Sequence, residues 1–384
     1  MKKIIGILVL VFSTIVLLMV MNQSFINRIK QDRYFDHLNT DDTPRSLYQR
    51  VFVRSDRWAY GDLYGLCYLP QYRFKLEPFK KYNSINRGNL QNRILYIIGD
   101  SFLADKTLTS AFDGFDNVVF LDRRFPFGPI LVDSTKQNFL IMEFAERNLN
   151  GYNINKTDEI RWTENDIKTI GSRSVLRGSG ALLTPRSPNR AARPSLINRL
   201  GKIIFNKDLS RNLELLLFDD KLFTPIKELK ASLNYNLFGR VAKEVAVSTD
   251  KKRLLLNITV DTSDIHSAFR YKSIQQIDSI TANLKVAKNY YEAIGFKKVF
   301  LSIIPNPVSI YDENRMPYNH LLERVERQTN LPIISIYKTY KSDSHNLYFL
   351  SDAHWNPMGF DTWVAQVNKT LKSASKKINN SVNQ

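Results

Sequence analysis

An α/β fold with a mainly parallel sheet is what this chain predicts, and three features predict it. Two series of nearly continuously apolar segments occur: "RILYIIGD", "NVVFLDRR" and "NFLIMEFAER" early, "KRLLLNITV", "KKVFLSIIP" and "LPIISIYK" late. They are rich in β-branched and aromatic residues and do not alternate, as suits strands covered on both faces. Helical periods lie between them, and strands alternating with helices pair in parallel and place a ligand site at their carboxyl ends.

The elements follow in order. Lys2 and Lys3 precede an apolar run from Ile4 to Met21, broken only by Gly6, Ser13 and Thr14. Its length reaches the lower end of what spans a bilayer as a helix. No small-x-small cleavage pattern follows in "VMNQSFINRIK", so residues 1–21 are expected to be an uncleaved membrane anchor. Lys2 and Lys3 favour a cytoplasmic N-terminus, while Arg28, Lys30 and Arg33 pull the other way. We expect a single-pass protein of a bacterial inner membrane whose body faces the periplasm or cell exterior. Residues 22–90 form a stem with an aromatic-rich stretch, "DRWAYGDLYGLCYLPQYRF", to which the sequence assigns no chemistry.

Residues 91–150 carry the first strand series. Residues 151–250 are an insertion or cap, and 251–375 hold the second series. Within the insertion, 171–207 contains eight Lys or Arg and no acid, with frequent Gly, Ser and Pro. It reads either as a solvated loop or as a landing patch for anionic lipid or an acidic glycan. The segment behind it, "NLELLLFDDKLFTPIKELKASLNYNLF", is apolar enough for a helical cap or a membrane-hugging face. In the second series, Ile274, Ile277, Ile280, Leu284, Ala287 and Tyr291 form a helical stripe ended by Gly295. "NHLLERVERQTN" predicts a shorter amphipathic helix, and a last one starts near Asn356-Pro357.

The formal net charge of +18 implies attraction to anionic surfaces. Nucleic acid is set aside, since no zinc-finger spacing or RNP-like motif occurs. Cys67 is the sole cysteine, so no intramolecular disulfide forms, and it reads as a small buried hydrophobe. The histidines and carboxylates show no ligand spacing, so neither metal nor cofactor is expected.

The chemistry rests on where the first strand stops. "ILYIIGDSFLAD" ends an apolar run on Gly-Asp-Ser, which is either an ordinary turn or a strand delivering a serine nucleophile. A serine needs a base, normally histidine, and a group that orients it. Of five histidines, His37, His320 and His345 read as structural or merely exposed. His266 and His354 each have an aspartate two residues earlier, Asp264 and Asp352. Residues two apart on a helix do not face each other, so either pair must lie on a loop. "LYFLSDAHWNPMGFDTW" supplies one, and we favour Asp352 and His354, with Asp264 and His266 as competitor.

"IIGDSF" with a distant "SDAHW" resembles the SGNH/GDSL hydrolase superfamily. The nearest branch is the membrane-associated O-acetyltransferases of exopolysaccharide assembly, such as the alginate acetylation proteins J and X. More distant is the D-alanylation protein D of teichoic acids. In the alginate proteins the D-x-H-W half comes first, whereas here it comes last. The resemblance covers about 94–150 and 270–370 and implies a three-layer α/β/α sandwich. It makes Ser101 the nucleophile, His354 the base, Asp352 its orienting partner and the Ser101 N–H part of an oxyanion hole. The superfamily places an Asn donor after the third strand, where this chain reads "MEFAER", so Glu143 and Arg147 stand near the expected position. Arg123 or Arg124 could supply positive charge instead, or pair with Asp122 or Glu143.

The resemblance implies acetyl transfer to a cell-envelope or secreted polysaccharide through an acyl-serine, with the acyl group passed on by a multispanning membrane acyltransferase. Two alternatives stand beside it. One is a carbohydrate esterase; the other is a non-catalytic glycan-binding scaffold in which Trp355, Trp363 and Tyr348 stack on sugar rings.

Overall fold

The structure is a computed structural model. It describes residues 2–36, 46–57, 59–80, 92–104, 106, 108, 110–124, 127, 130, 132–157, 206–328 and 330–382. His37 and nearly all of the basic stretch 171–207 lie outside these residues. The chain divides into two compact units. One comprises Met1–Leu76, Ser187–Val247 and Leu350–Asp352; the other comprises Glu77–Arg186, Ser248–Phe349 and Ala353–Gln384.

The first unit is helical. Helix α1 (Lys2–Met21) is long and apolar enough to cross a membrane, and all its side chains from Ile4 to Leu18 except the half-buried Val16 are exposed rather than packed in a core. It ends at Asn22, whose Oδ1 accepts the Phe25 N–H and opens α2 (Gln23–Asp36). α3 (Leu47–Phe52) starts with a Ser46/Gln49 capping box, and α4 (Tyr64–Cys67) follows. After the insertion come α5 (Leu209–Leu217) and α6 (Thr224–Phe238), the latter ended by Gly239. Arg33 is buried: it donates to Phe52 O and Leu215 O and pairs with Asp219 at 3.1 Å. It ties α2 to α5. Cys67 is a free, buried thiol pushed up to about 11 by burial.

The second unit holds a sheet of five parallel strands: β1 (Arg93–Gly99), β2 (Asn117–Asp122), β3 (Gln137–Ala145), β6 (Lys298–Ile304) and β7 (Ile333–Ile334). Short strands β4 (Val245–Val247) and β5 (Leu254–Leu256) lie outside that sheet. The order β2-β1-β3-β6-β7 reverses at β1. The crevice beyond the carboxyl ends of β1 and β3 is therefore the place where open α/β sheets bind ligands. β1 and β3 are buried along nearly their whole length, which accounts for their unbroken apolar sequence.

"KRLLLNITV" yields only β5, because a local turn takes up its backbone groups. The Val260 and Asp261 N–H groups both bond Asn257 O, and Thr259 Oγ1 donates to Leu256 O.

α7 (Ile274–Ala293) buries Ile277, Ile280, Leu284, Ala287 and Tyr291 and packs on β6. Ile274 is 61% exposed, because the Ser273/Gln276 capping box makes it the first helical residue. Gly295 ends this helix at φ +116. α8 (Pro307–Tyr311), α9 (Leu321–Gln328) and α10 (Tyr337–Ser342) are short, and α11 (Pro357–Val382) is the long last helix. Its N-cap is Asn356, whose Oδ1 accepts the Gly359 N–H.

Candidate active site

β1 delivers Ser101 by a tight turn. The Leu103 and Ala104 N–H groups bond Asp100 O, and the Phe102 N–H bonds Asp100 Oδ1. Glu143, fully buried on β3, accepts the Asp100 N–H at 3.0 Å through Oε2. Burial first, and then the Asp100 charge, push its carboxyl well above the usual range. The close approach of strand and carboxyl needs Gly99. A Cβ there would lie 2.9 Å from Glu143 Oε2 and 3.0 Å from Leu103 Cδ1.

The partner segment is a pinched loop. Tyr348 and Trp355 form an antiparallel bridge, and the Phe349 N–H bonds His354 O. Trp355 Nε1 donates to Phe102 O at 3.1 Å, tying this segment to the serine turn. His354 Nε2 comes to 2.9 Å from Ser101 Oγ, and the His354 ring packs on Phe102 with centroids 4.8 Å apart. That is hydrogen-bond reach between a nucleophile and a base.

Ser351 and Asp352, just before the histidine in sequence, are held within the helical unit. The Asp62 N–H donates to Asp352 Oδ2 at 2.8 Å, and the Tyr64 N–H to Ser351 O at 3.1 Å. Gly61 makes this grip possible. Its φ is +100, and a Cβ would stand 2.3 Å from Ser351 O. The stem segment "YGDLYG" therefore has a role that the sequence reading did not assign. Gly61→Ala is expected to lower stability by about 1–3 kcal/mol through strain and displacement of Ser351, measured by denaturant unfolding.

The other candidates separate clearly. Arg124 is engaged with Asp122 at 2.7 Å. Arg123 donates to the main-chain oxygen of Glu143, and its guanidinium lies 3.9 Å from the Phe144 ring centroid. Arg147 lies over Phe102, 5.5 Å from its centroid, and its buried Nη1 has no hydrogen-bond partner among the described residues.

His266 Nδ1 donates to Arg147 O at 2.5 Å. Asp264 accepts the His266 main-chain N–H rather than a ring proton. The competing pair therefore lacks the carboxylate–imidazole contact that would make it one. His320 and His345 are exposed and sit beside Glu323 and Asp343.

Trp355 is fully buried, as are Trp363 and Tyr348. Their polar atoms go to Phe102 O, Ser302 Oγ and Pro305 O. These rings are internal staples, which corrects the expectation that they stack on sugars.

Asn148 is the residue that sequence reasoning missed. It lies in the 3₁₀ turn after β3 (Glu146–Gly151), and its Nδ2 donates to Asp100 Oδ2 at 3.1 Å. The signal was its place after the third strand, as the residue that immediately follows "MEFAER". Glu146 anchors this turn. Its Oε2 accepts the Asn306 N–H at 2.8 Å and the Ser309 hydroxyl at 2.7 Å. Burial raises its carboxyl from 4.5 to about 7 against these hydrogen bonds.

A raised carboxyl favours folding while protonated. Its contribution is complete below pH 4.5 and is lost as pH rises through 7, a difference of about 3 kcal/mol. Glu146→Gln keeps an acceptor oxygen without the charge. It is expected to flatten the fall in stability between pH 5 and pH 8 seen by thermal unfolding of the wild type.

No family model, curated protein or solved structure matches this chain.

Proposed function

We propose that this protein is a membrane-anchored serine acyltransferase of SGNH type that acetylates a cell-envelope or exported polysaccharide through an acyl-serine. The observation that carries the reading is the 2.9 Å approach of His354 Nε2 to Ser101 Oγ at the end of β1. Its setting beyond β1 and β3 suits a ligand crevice. A three-layer α/β/α arrangement around the parallel sheet belongs to the same reading.

Ser101 Oγ attacks the donor acyl carbonyl while His354 Nε2 takes its proton, and the donor's leaving group departs with that proton. A sugar hydroxyl then attacks the acyl-serine and gives its proton to His354, which returns it to Ser101 Oγ as that bond breaks. Asp352 is assigned to orient the imidazole from its place two residues earlier in the chain. The Ser101 N–H and the Asn148 amide are assigned to the oxyanion.

The anchor and the basic composition favour transfer at an envelope surface over hydrolysis in solution. The acyl group is passed on by a multispanning membrane acyltransferase.

The test is labelling of the full chain by a serine-directed fluorophosphonate, together with the fate of labelled acetyl. Labelling is expected to vanish in His354→Ala and persist in His266→Ala; the reverse would replace the base. Acetyl on added oligosaccharide supports transfer, and free acetate alone supports an esterase.

A further inference from the structure

The helical unit carries a face that water does not suit. Leu222, in the turn just before α6, and Ile226, Leu229, Leu233 and Leu237 along α6 follow one another at steps of four, three, four and four residues. They are 71, 64, 62, 50 and 68% exposed. From Ile226 on, that spacing draws one straight stripe down about 17 Å of helix. Phe218 and Phe238 are also exposed, at its two ends.

The opposite side of α6 is the polar one. Glu228 accepts the Tyr64 hydroxyl at 2.7 Å, and Lys227 pairs with Asp219 at 3.2 Å. Polar groups thus point inward and leucines outward, the reverse of a helix packed on a soluble core. Contiguous exposed apolar surface of this kind marks a membrane or partner contact.

The position of α6 in the chain selects between them. Asn212, buried on α5, donates through Nδ2 to Val20 O at 3.2 Å and to Gln23 Oε1 at 3.0 Å. It thereby fastens α5 to the last turn of α1, where the apolar run stops. Val20, Ile26 and Ile29 are fully buried there. α6 follows α5 after a six-residue connection, 218–223, so the stripe is joined through α5 to the end of the apolar run. Lys221, Lys230 and Arg240 flank it and are exposed, the pattern of a helix lying among anionic headgroups.

We infer that α6 is an interfacial helix whose leucine stripe lies in the outer edge of a phospholipid bilayer, giving the helical unit a second hold beside α1. The inference rests on α1 being a retained anchor.

Single cysteines at positions 226, 229 and 233 (Ile226→Cys, Leu229→Cys, Leu233→Cys) test it, with Val11→Cys reporting on α1 and exposed Lys285→Cys as the aqueous control. Cys67 is buried, so the introduced thiols take an environment-sensitive fluorophore selectively. The full chain is placed in phosphatidylethanolamine–phosphatidylglycerol vesicles. Brominated lipid is expected to quench the three α6 probes at least twofold more than the control, while iodide reaches only the control. Quenching at position 11 with iodide-accessible α6 probes would overturn the inference and leave the anchor standing. That is also the outcome if a protein partner normally covers the stripe. No lipid quenching at either place would overturn both.

Discussion

Ser101→Ala is expected to reduce acetyl-ester turnover by roughly 10⁴-fold or more and to abolish fluorophosphonate labelling. The fold should scarcely notice. The turn that presents Ser101 is held by Asp100 through its main-chain oxygen and its carboxylate, and by Glu143 on the Asp100 N–H. None of these bonds uses the serine hydroxyl, whose partner is His354. Unfolding should therefore shift by no more than about 0.5 kcal/mol, the range of a substitution that removes no structural contact.

His354→Ala should fall to a similar residual rate, and the double variant should be no worse than either single one, because nucleophile and base act as a unit. Losses that instead multiply in the double variant would mean the two side chains act independently. Their proximity would then have no catalytic meaning.

Much of this arrangement was legible in the sequence, for identifiable reasons. β1, β3 and β6 announced themselves because both faces are buried and their residues must be apolar throughout. The long helix α7 was legible from its stripe and from Gly295 at its end. Ser101 and His354 were singled out because each sits where an apolar element gives way to a turn.

The failures have a common cause: side-chain contacts between distant segments do not show in local pattern. Trp355 looked like a sugar platform, but it is spent on Phe102 O across 253 residues of chain. "KRLLLNITV" has strand composition, yet turn bonds at Asn257 and Thr259 capture it after three residues. The stem could not be read at all, because its role is to grip Ser351 and Asp352, nearly 290 positions away.

Asn148→Ala carries the second large expectation, a fall of about 10²–10³ in kcat with little change in KM. A tetrahedral intermediate places negative charge on the former carbonyl oxygen, and the Ser101 N–H alone is a single donor for it. Asn148 follows β3, the strand beside β1, and one of its amide hydrogens is committed to Asp100 Oδ2. That bond fixes the side chain next to the serine turn and leaves its second amide hydrogen to donate. The surrounding contacts hold it there: Glu146 is anchored to Asn306 and Ser309, and Arg147 O accepts the His266 ring proton. A donor aimed at charge that develops only in the transition state acts on kcat. Asn148→Ala should still be labelled at Ser101, more slowly. If this variant instead lost stability and kept its kcat, the amide would be a brace for Asp100, and the second oxyanion donor would have to be sought in Arg147, whose buried Nη1 has no hydrogen-bond partner among the described residues.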